Sequence, residues 1–359
     1  MAGPRPELDP LAGVRRPSDP PLDVFCAGTV FFDVILTGLH EFPRLGTEVR
    51  APGMGSSPGG VANLAVALRR LGLTTSLSGA FGTDAYGDYC WEILADQEGV
   101  DLGTSRRFGG WHSPVTVSLV VGGERTMITH AHDGPISLDA TIGRPPDARA
   151  YFAHLGTEEQ TWLRHAKASG GQVFADIGWE LSNVCGTPAP AWLSDCDVFL
   201  PNRDEALALT RERSVSAALA VLTRHVPVVA ITCGAAGSVA ADDTTGEVVR
   251  MPAVPAEAID STGAGDVFGA AFAVGTLAGW PLAERLRFAN LCASLSVRHF
   301  GGSLAAPGWH DIAAWWRGLE DTELQAQYGF LAELLPRRRL PPVRRATATL
   351  AHRPSSRPA

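Results

Sequence analysis

Asp260-Ser261-Thr262-Gly263-Ala264-Gly265-Asp266-Val267-Phe268 runs directly into Ala270, Ala271, Phe272 and Val274. Small residues at a helix start leave successive backbone N–H groups bare, and the helix dipole favours an anion there. A helix cap would account for Asp260 or Asp266 taken singly. It does not account for two aspartates flanking T-G-A-G, because a phosphate beside Asp266 would be repelled unless that carboxylate had another task. Taking a proton from an attacking hydroxyl is such a task.

Upstream, strands and helices take turns. Val24 to Val30, Thr74 to Ala80, Tyr151 to Leu155, Gln172 to Asp176, Val198 to Leu200 and Val228 to Thr232 are short apolar runs that predict strands. Val61 to Leu71, Asp84 to Gln97, Glu158 to Ala168, Asp204 to Thr210 and Val215 to Arg224 carry helical spacing, and two helices follow Pro255, near Gly263 to Ala278 and Leu282 to Phe300. Such alternation predicts a doubly wound, mostly parallel sheet flanked by helices. Two stretches break the rhythm, Val34 to Ala51 and Val115 to His130, the second with a Gly122-Gly123 turn that signals a hairpin. They could meet as a small sheet over the strand ends or remain independent surface hairpins. Residues 1–21 and 336–359 are Pro- and Arg-rich without periodicity and read as disordered tails around one domain, residues 22–335.

A second glycine-rich element is Pro58-Gly59-Gly60-Val61-Ala62-Asn63-Leu64-Ala65, which continues to Arg69-Arg70-Leu71-Gly72. Paired glycines before a helix permit close approach to a ligand, and Asn63 offers both donor and acceptor. Together, G-G-x-x-N-x-A with R-x-L-G and D-x-T-G-A-G-D-x-F resemble the two signatures of the ribokinase family of carbohydrate kinases, the PfkB type. The resemblance spans about Val24 to Trp309. It implies an α/β domain with a small β lid, drawn from about residues 34–51 and 115–130. It also implies ATP-dependent transfer of a phosphoryl group to a hydroxymethyl group of a sugar or nucleoside.

Position by position, the resemblance makes Asp266 the general base and Gly263, Ala264 and Gly265 the anion hole. Asp33, Gly59, Gly60 and Asn63 match substrate-contacting positions. Asn202 and Glu205, in Pro201-Asn202-Arg203-Asp204-Glu205, are similar to the N-x-x-E element that orders Mg2+ and the phosphates, Glu205 indirectly; without the family they read as a capped helix start. Thr232, Gly234 and Gly237 match the nucleotide loop and Asn290 a position near the adenine. Asp260 and Thr262, with Ser296, Gly301 and Ser303 as further oxygen donors, match a site for K+. A homodimer joined through the lid is also expected. The chain departs from ribose-specific members, which carry Glu near Gly156 or Thr157, and from the D-x-N-x-R pattern at Asp176-Ile177-Gly178-Trp179-Glu180.

Composition narrows the field. The net charge of −8 argues against a nucleic-acid binder. The single lysine, Lys167, excludes a P-loop and a protein-kinase strand. Six scattered cysteines without a C-x-x-C pair fit reduced thiols, and neither a membrane span nor a leader is visible, so a cytoplasmic protein is expected. His130, His132 and Asp133 have metal-ligand spacing but read as a strand edge. A nicotinamide-dependent oxidoreductase would need G-x-G-x-x-G after the first strand, and Gly28-Thr29-Val30-Phe31-Phe32-Asp33 lacks it. A non-catalytic sugar- or nucleotide-binding relative would show damage to the base or the glycines, and both are intact.

Overall fold

Val24 and Cys26 point to one side of the first strand, Phe25 and Ala27 to the other, and all four are buried. A strand buried on both faces belongs inside a sheet covered on both sides. The computed structural model describes residues 8–121, 124–155, 160–177, 191–335 and 340–346. This first strand is β1 (Leu22–Ala27), followed by β2 (Val30–Leu39), β3 (Gly53–Gly60) and the helix Val61–Arg70. β4 (Thr75–Ser78) and β5 (Ala80–Gly82) lead into the helix Ala85–Glu92, a π-helical turn Ile93–Gln97 and β6 (Arg106–Phe108). β7 (Val115–Val121) and β8 (Glu124–His130) form the next hairpin.

β9 (Ala148–Leu155), β10 (Gln172–Ile177), β11 (Val198–Phe199) and β12 (Val228–Thr232) complete the parallel strands, with the helices Trp162–Ala168, Arg203–Thr210 and Val215–Leu222 among them. β13 (Ser238–Asp242) and β14 (Glu247–Met251) precede the helices Ala264–Leu277 and Leu282–Ser296. Eight strands bond in the order β14-β13-β12-β11-β10-β9-β1-β4. β13 and β14 form a hairpin at one edge that the sequence reading leaves unassigned, with β12–β13 and β13–β14 antiparallel and the other pairs parallel.

The two extended excursions form one sheet, in the order β3-β2-β7-β8, because β2 and β7 pair in parallel. Two independent hairpins are therefore excluded. Residues 40–52 carry no strand, whereas β3 continues through Pro58-Gly59-Gly60 to the helix start. The Gly122-Gly123 turn lies outside the described residues.

Both expected tails need correction where they are described. Leu11 is fully buried, and Arg15 bridges Asp9 and Asp23, with 2.6 Å to Asp23. At the other end Arg345 pairs with Asp311 at 2.7 Å and donates to the carbonyls of Ala305 and Ala306, while Ala346 is buried. In each case one apolar side chain and one guanidinium with several acceptors dock a segment that has no periodicity to announce it. Residues 1–7, 336–339 and 347–359 lie outside the described residues.

Candidate active site

The carboxyl ends of β1, β9, β10, β11 and β12 open onto one edge of the main sheet, where open α/β folds bind ligands. The helix Ala264–Leu277 starts there. Gly263 caps it with φ +74, a left-handed conformation that glycine takes without cost. The amides of Gly263 and Gly265 have no partner among the described residues, but the Ala264 amide already bonds the Ser261 carbonyl at 3.2 Å. Of the expected three-amide anion hole, two donors are free.

Asp266 sits in the first turn with its side chain 17% exposed. Asn63 Nδ2 donates to Asp266 Oδ2 at 3.1 Å, joining two segments 203 residues apart in sequence. Burial raises the proton affinity of Asp266; His154, Asn63 and Arg125 oppose that. Asp33, on β2, is 6% exposed, and burial with the nearby charges of Asp260 and Asp266 pushes its carboxyl up to about 7.

The two glycines ahead of Asn63 have specific reasons. A Cβ on Gly59 would lie 2.0 Å from the Asp33 carboxylate, and one on Gly60 (φ +62) would lie 2.3 Å from the Thr29 carbonyl. Both glycines therefore shape the pocket by what they lack. Ser57 Oγ and Asn63 Oδ1 are buried without a hydrogen-bond partner among the described residues, and both lie beside Gly302. Buried polar atoms are costly when unpaired, so such a group calls for a polar ligand.

Asn202 and Glu205 form a reciprocal capping box. Asn202 Oδ1 accepts from the Asp204 and Glu205 amides, and Glu205 Oε2 accepts from the Asn202 amide at 2.8 Å. The capped-start reading is thus realised. The buried Asp176 carboxyl, at the end of β10, is raised by burial first and then by the charges of Glu205 and Asp266. Converging carboxylates fit a divalent cation held through phosphates and water. Among the described residues no three such groups could hold a metal alone.

The nucleotide-loop positions come together. Asn202 and Thr232 form a bridge, Gly234 (φ +57) and Gly237 (φ +91) turn the chain, and a Cβ on Gly237 would lie 2.1 Å from the Met251 carbonyl. Asn290 is buried rather than on the helix surface, and its amide donates to the Met251 and Pro252 carbonyls. Any nucleotide contact is left to its oxygen.

The expected K+ donors are less concerted. Asp260 Oδ1 accepts from the Thr262 amide and hydroxyl, and Asp260 Oδ2 from the Gly301 amide at 3.3 Å. Ser296 donates to the Ala293 carbonyl and Ser303 to the Pro58 carbonyl, so neither hydroxyl hydrogen-bonds with Asp260. His130 and His132 do sit at the lid's edge, with the His112 ring beside both. Gly156, Thr157 and Gly178 to Glu180 lie outside the described residues.

Sequence reasoning passed over His154 and Ser57. His154 Nε2 lies 3.7 Å from Asp266 Oδ1, and His154 pairs with Asp176 across β9 and β10. Its place at the carboxyl end of an apolar strand was the available signal, because such ends line the site.

Comparison with known proteins agrees with this geometry. The description "pfkB family carbohydrate kinase" matches residues 22–134 and 160–308. A nucleoside kinase of Methanothermobacter thermautotrophicus is 29% identical over 293 residues, covering 79% of this chain and 92% of that protein. A ribokinase of Bacillus subtilis is 29% identical over 304 residues, 79% of this chain and 96% of its own. The structure of Arabidopsis thaliana ribokinase complexed with ribose and ATP superposes with a TM-score of 0.65 at 26% identity, covering 80% of this chain and 96% of that one. No helix among the described residues is long and apolar enough to cross a membrane. With both signatures meeting at one carboxylate and the family matched over most of its length, the chain belongs to the pfkB family of carbohydrate kinases.

Proposed function

We propose that this protein transfers the γ-phosphoryl group of ATP to a hydroxymethyl group of a small carbohydrate, with Asp266 as base. The carrying observation is the Asp266 carboxylate, fixed by Asn63 at a helix start whose Gly263 and Gly265 amides are free. ATP supplies the phosphoryl group, and Asn202 and Glu205 would hold Mg2+ through water and the phosphates, where the ion would supply neutralisation of phosphate charge. Asp266 takes the hydroxyl proton as the oxygen attacks, while the two amides face the charge that develops on the transferred group. Asp33, Ser57 and Asn63 hold the acceptor's other hydroxyls. Thr232, Gly234, Gly237 and Asn290 border the nucleotide. The four-stranded sheet over this edge excludes water, which would otherwise compete as acceptor.

A nucleoside acceptor is the second reading, favoured by the similarity to a nucleoside kinase. K+ would rest on Asp260 and main-chain oxygens near Gly301, and the lid would join a homodimer. An ADP-release screen with Mg-ATP against sugars, sugar acids, sugar phosphates and nucleosides tests the assignment. At least one acceptor should exceed the ATP-only background severalfold. Background rates with every acceptor, despite normal ATP binding, would leave a non-catalytic binder.

A further inference from the structure

We propose that His154 is a positioning residue, which holds the Asp266 carboxylate in place at the helix start from the strand side. This rests on the reading of Asp266 as the base. The placement follows from how β9 meets the helix Ala264–Leu277. Ala150 and Phe152 face the core that contains that helix, whereas Tyr151, Ala153 and Leu155 face the other core. Phe152 packs on Gly269, so tightly that a Cβ there would lie 3.1 Å from the ring. His154 is two residues further along on the same strand face, and Asp266 is one helical turn before Gly269. The two side chains are therefore brought level by the packing of strand on helix.

Nε2 of His154 lies 3.7 Å from Asp266 Oδ1 and is buried with no partner. That separation exceeds a hydrogen bond, yet no other acceptor is offered to this nitrogen among the described residues. On the opposite side Asn63 already holds Oδ2. The carboxylate thus has Asn63 hydrogen-bonded to one oxygen and the His154 ring nitrogen facing the other.

Charge gives the arrangement its purpose. Asp33, Asp176 and Glu205 all bear on this edge as acids, and the buried Cys26 thiol lies near Asp266. Burial raises the proton affinity of Asp266, and a carboxyl that keeps its proton cannot serve as base. Only His154 and Arg125 oppose this with charge, and Arg125 comes from the exposed lid strand β8. His154 is the counter-group built into the main domain.

The test compares wild type with His154→Phe and His154→Gln. In ligand-free protein labelled at aspartate 13Cγ, the Asp266 resonance is assigned by its loss in Asp266→Asn, and its titration is read by NMR. Losing an opposite charge at this range should move the Asp266 midpoint up by about one pH unit or more in both variants. With the acceptor found by the screen, the acid limb of kcat/KM should move the same way. Gln, which keeps a donor but no charge, should recover part of the kcat lost in Phe without restoring the limb. Unshifted titration and limb in folded variants would overturn the proposal, even if kcat fell. If His154→Phe does not fold, His154→Gln alone decides. Near-normal turnover of Asp266→Asn would instead overturn the base assignment, which the NMR titration does not depend on.

Discussion

At the residue scale, two carboxylates on one pocket are proposed to do different work. Asp266→Asn keeps the size of the side chain and its contact with Asn63 but removes the proposed base. Turnover should fall by roughly 10²–10⁴-fold, while ATP affinity holds or improves slightly with one negative charge gone. Single-turnover kinetics with an ATP titration checks both; near-normal turnover would reduce Asp266 to a helix cap. Asp33, proposed to bind the acceptor and not to react, should behave differently. Its carboxyl, pushed up to about 7, is ionised above that pH and protonated below it. The acceptor KM should therefore rise as pH falls through about 7. Asp33→Asn should raise KM by roughly ten- to a hundredfold, the worth of a charge-assisted hydrogen bond, and flatten its pH dependence. The stability sign runs the other way. A carboxyl raised by folding binds its proton more tightly in the folded chain, so folded stability declines as pH rises from about 4 through 7. Asp33→Asn should consequently melt no lower than wild type at pH 8. A variant with unchanged KM would remove Asp33 from the acceptor site.

At the element scale, the start of the helix Ala264–Leu277 has one glycine that cannot take a methyl group without strain and one that can. Gly263 has φ +74, and a Cβ there would lie 3.1 Å from the Asn63 amide carbon. Gly263→Ala should cost roughly 1–2 kcal/mol of backbone strain and displace the residue that fixes Asp266. The expected outcome is a modest fall in melting temperature with a disproportionate fall in kcat; the reverse pattern would mean that the cap is structural only. Gly265→Ala is the control, for a Cβ there meets nothing within 4 Å. The turn at Gly301 makes a separate claim. If Asp260 and main-chain oxygens hold K+, activity should be higher in K+ than in Na+ or a bulky organic cation at equal ionic strength. Identical rates in all three would dispose of the cation without affecting the base.

At the scale of the whole molecule, the small sheet has two faces with different duties. Asp33, Thr116 and Thr129 lie in register on one, and Val34, Val117 and Ile128 on the other, with Ile128 67% exposed. An apolar row on an exposed lid face is suited to a second copy of the chain. Light scattering should report a dimer, and Ile128→Glu should shift it towards monomer; a wild-type monomer at micromolar concentration would exclude the lid interface. The sequence patterns were enough for β1, β4, β9, β10, β11 and β12 of the main sheet and for the helix that carries Asp266, because each is encoded by a local run or spacing of apolar residues. Asn63 and Asp266 were legible as candidates because their motifs are local too, whereas Asp33 was named only through the family resemblance. What lay beyond the sequence was every relation between distant segments. These include the parallel pairing of β2 with β7, the antiparallel edge at β13 and β14, and the docking of Leu11 and Arg345. His154 belongs with them in part: its place at a strand's carboxyl end hints at the site, but nothing within Tyr151 to Leu155 says that the strand will pack its end against Asp266. Short-range pattern settles which way a side chain points from its own element; only the meeting of elements in three dimensions settles what it points at.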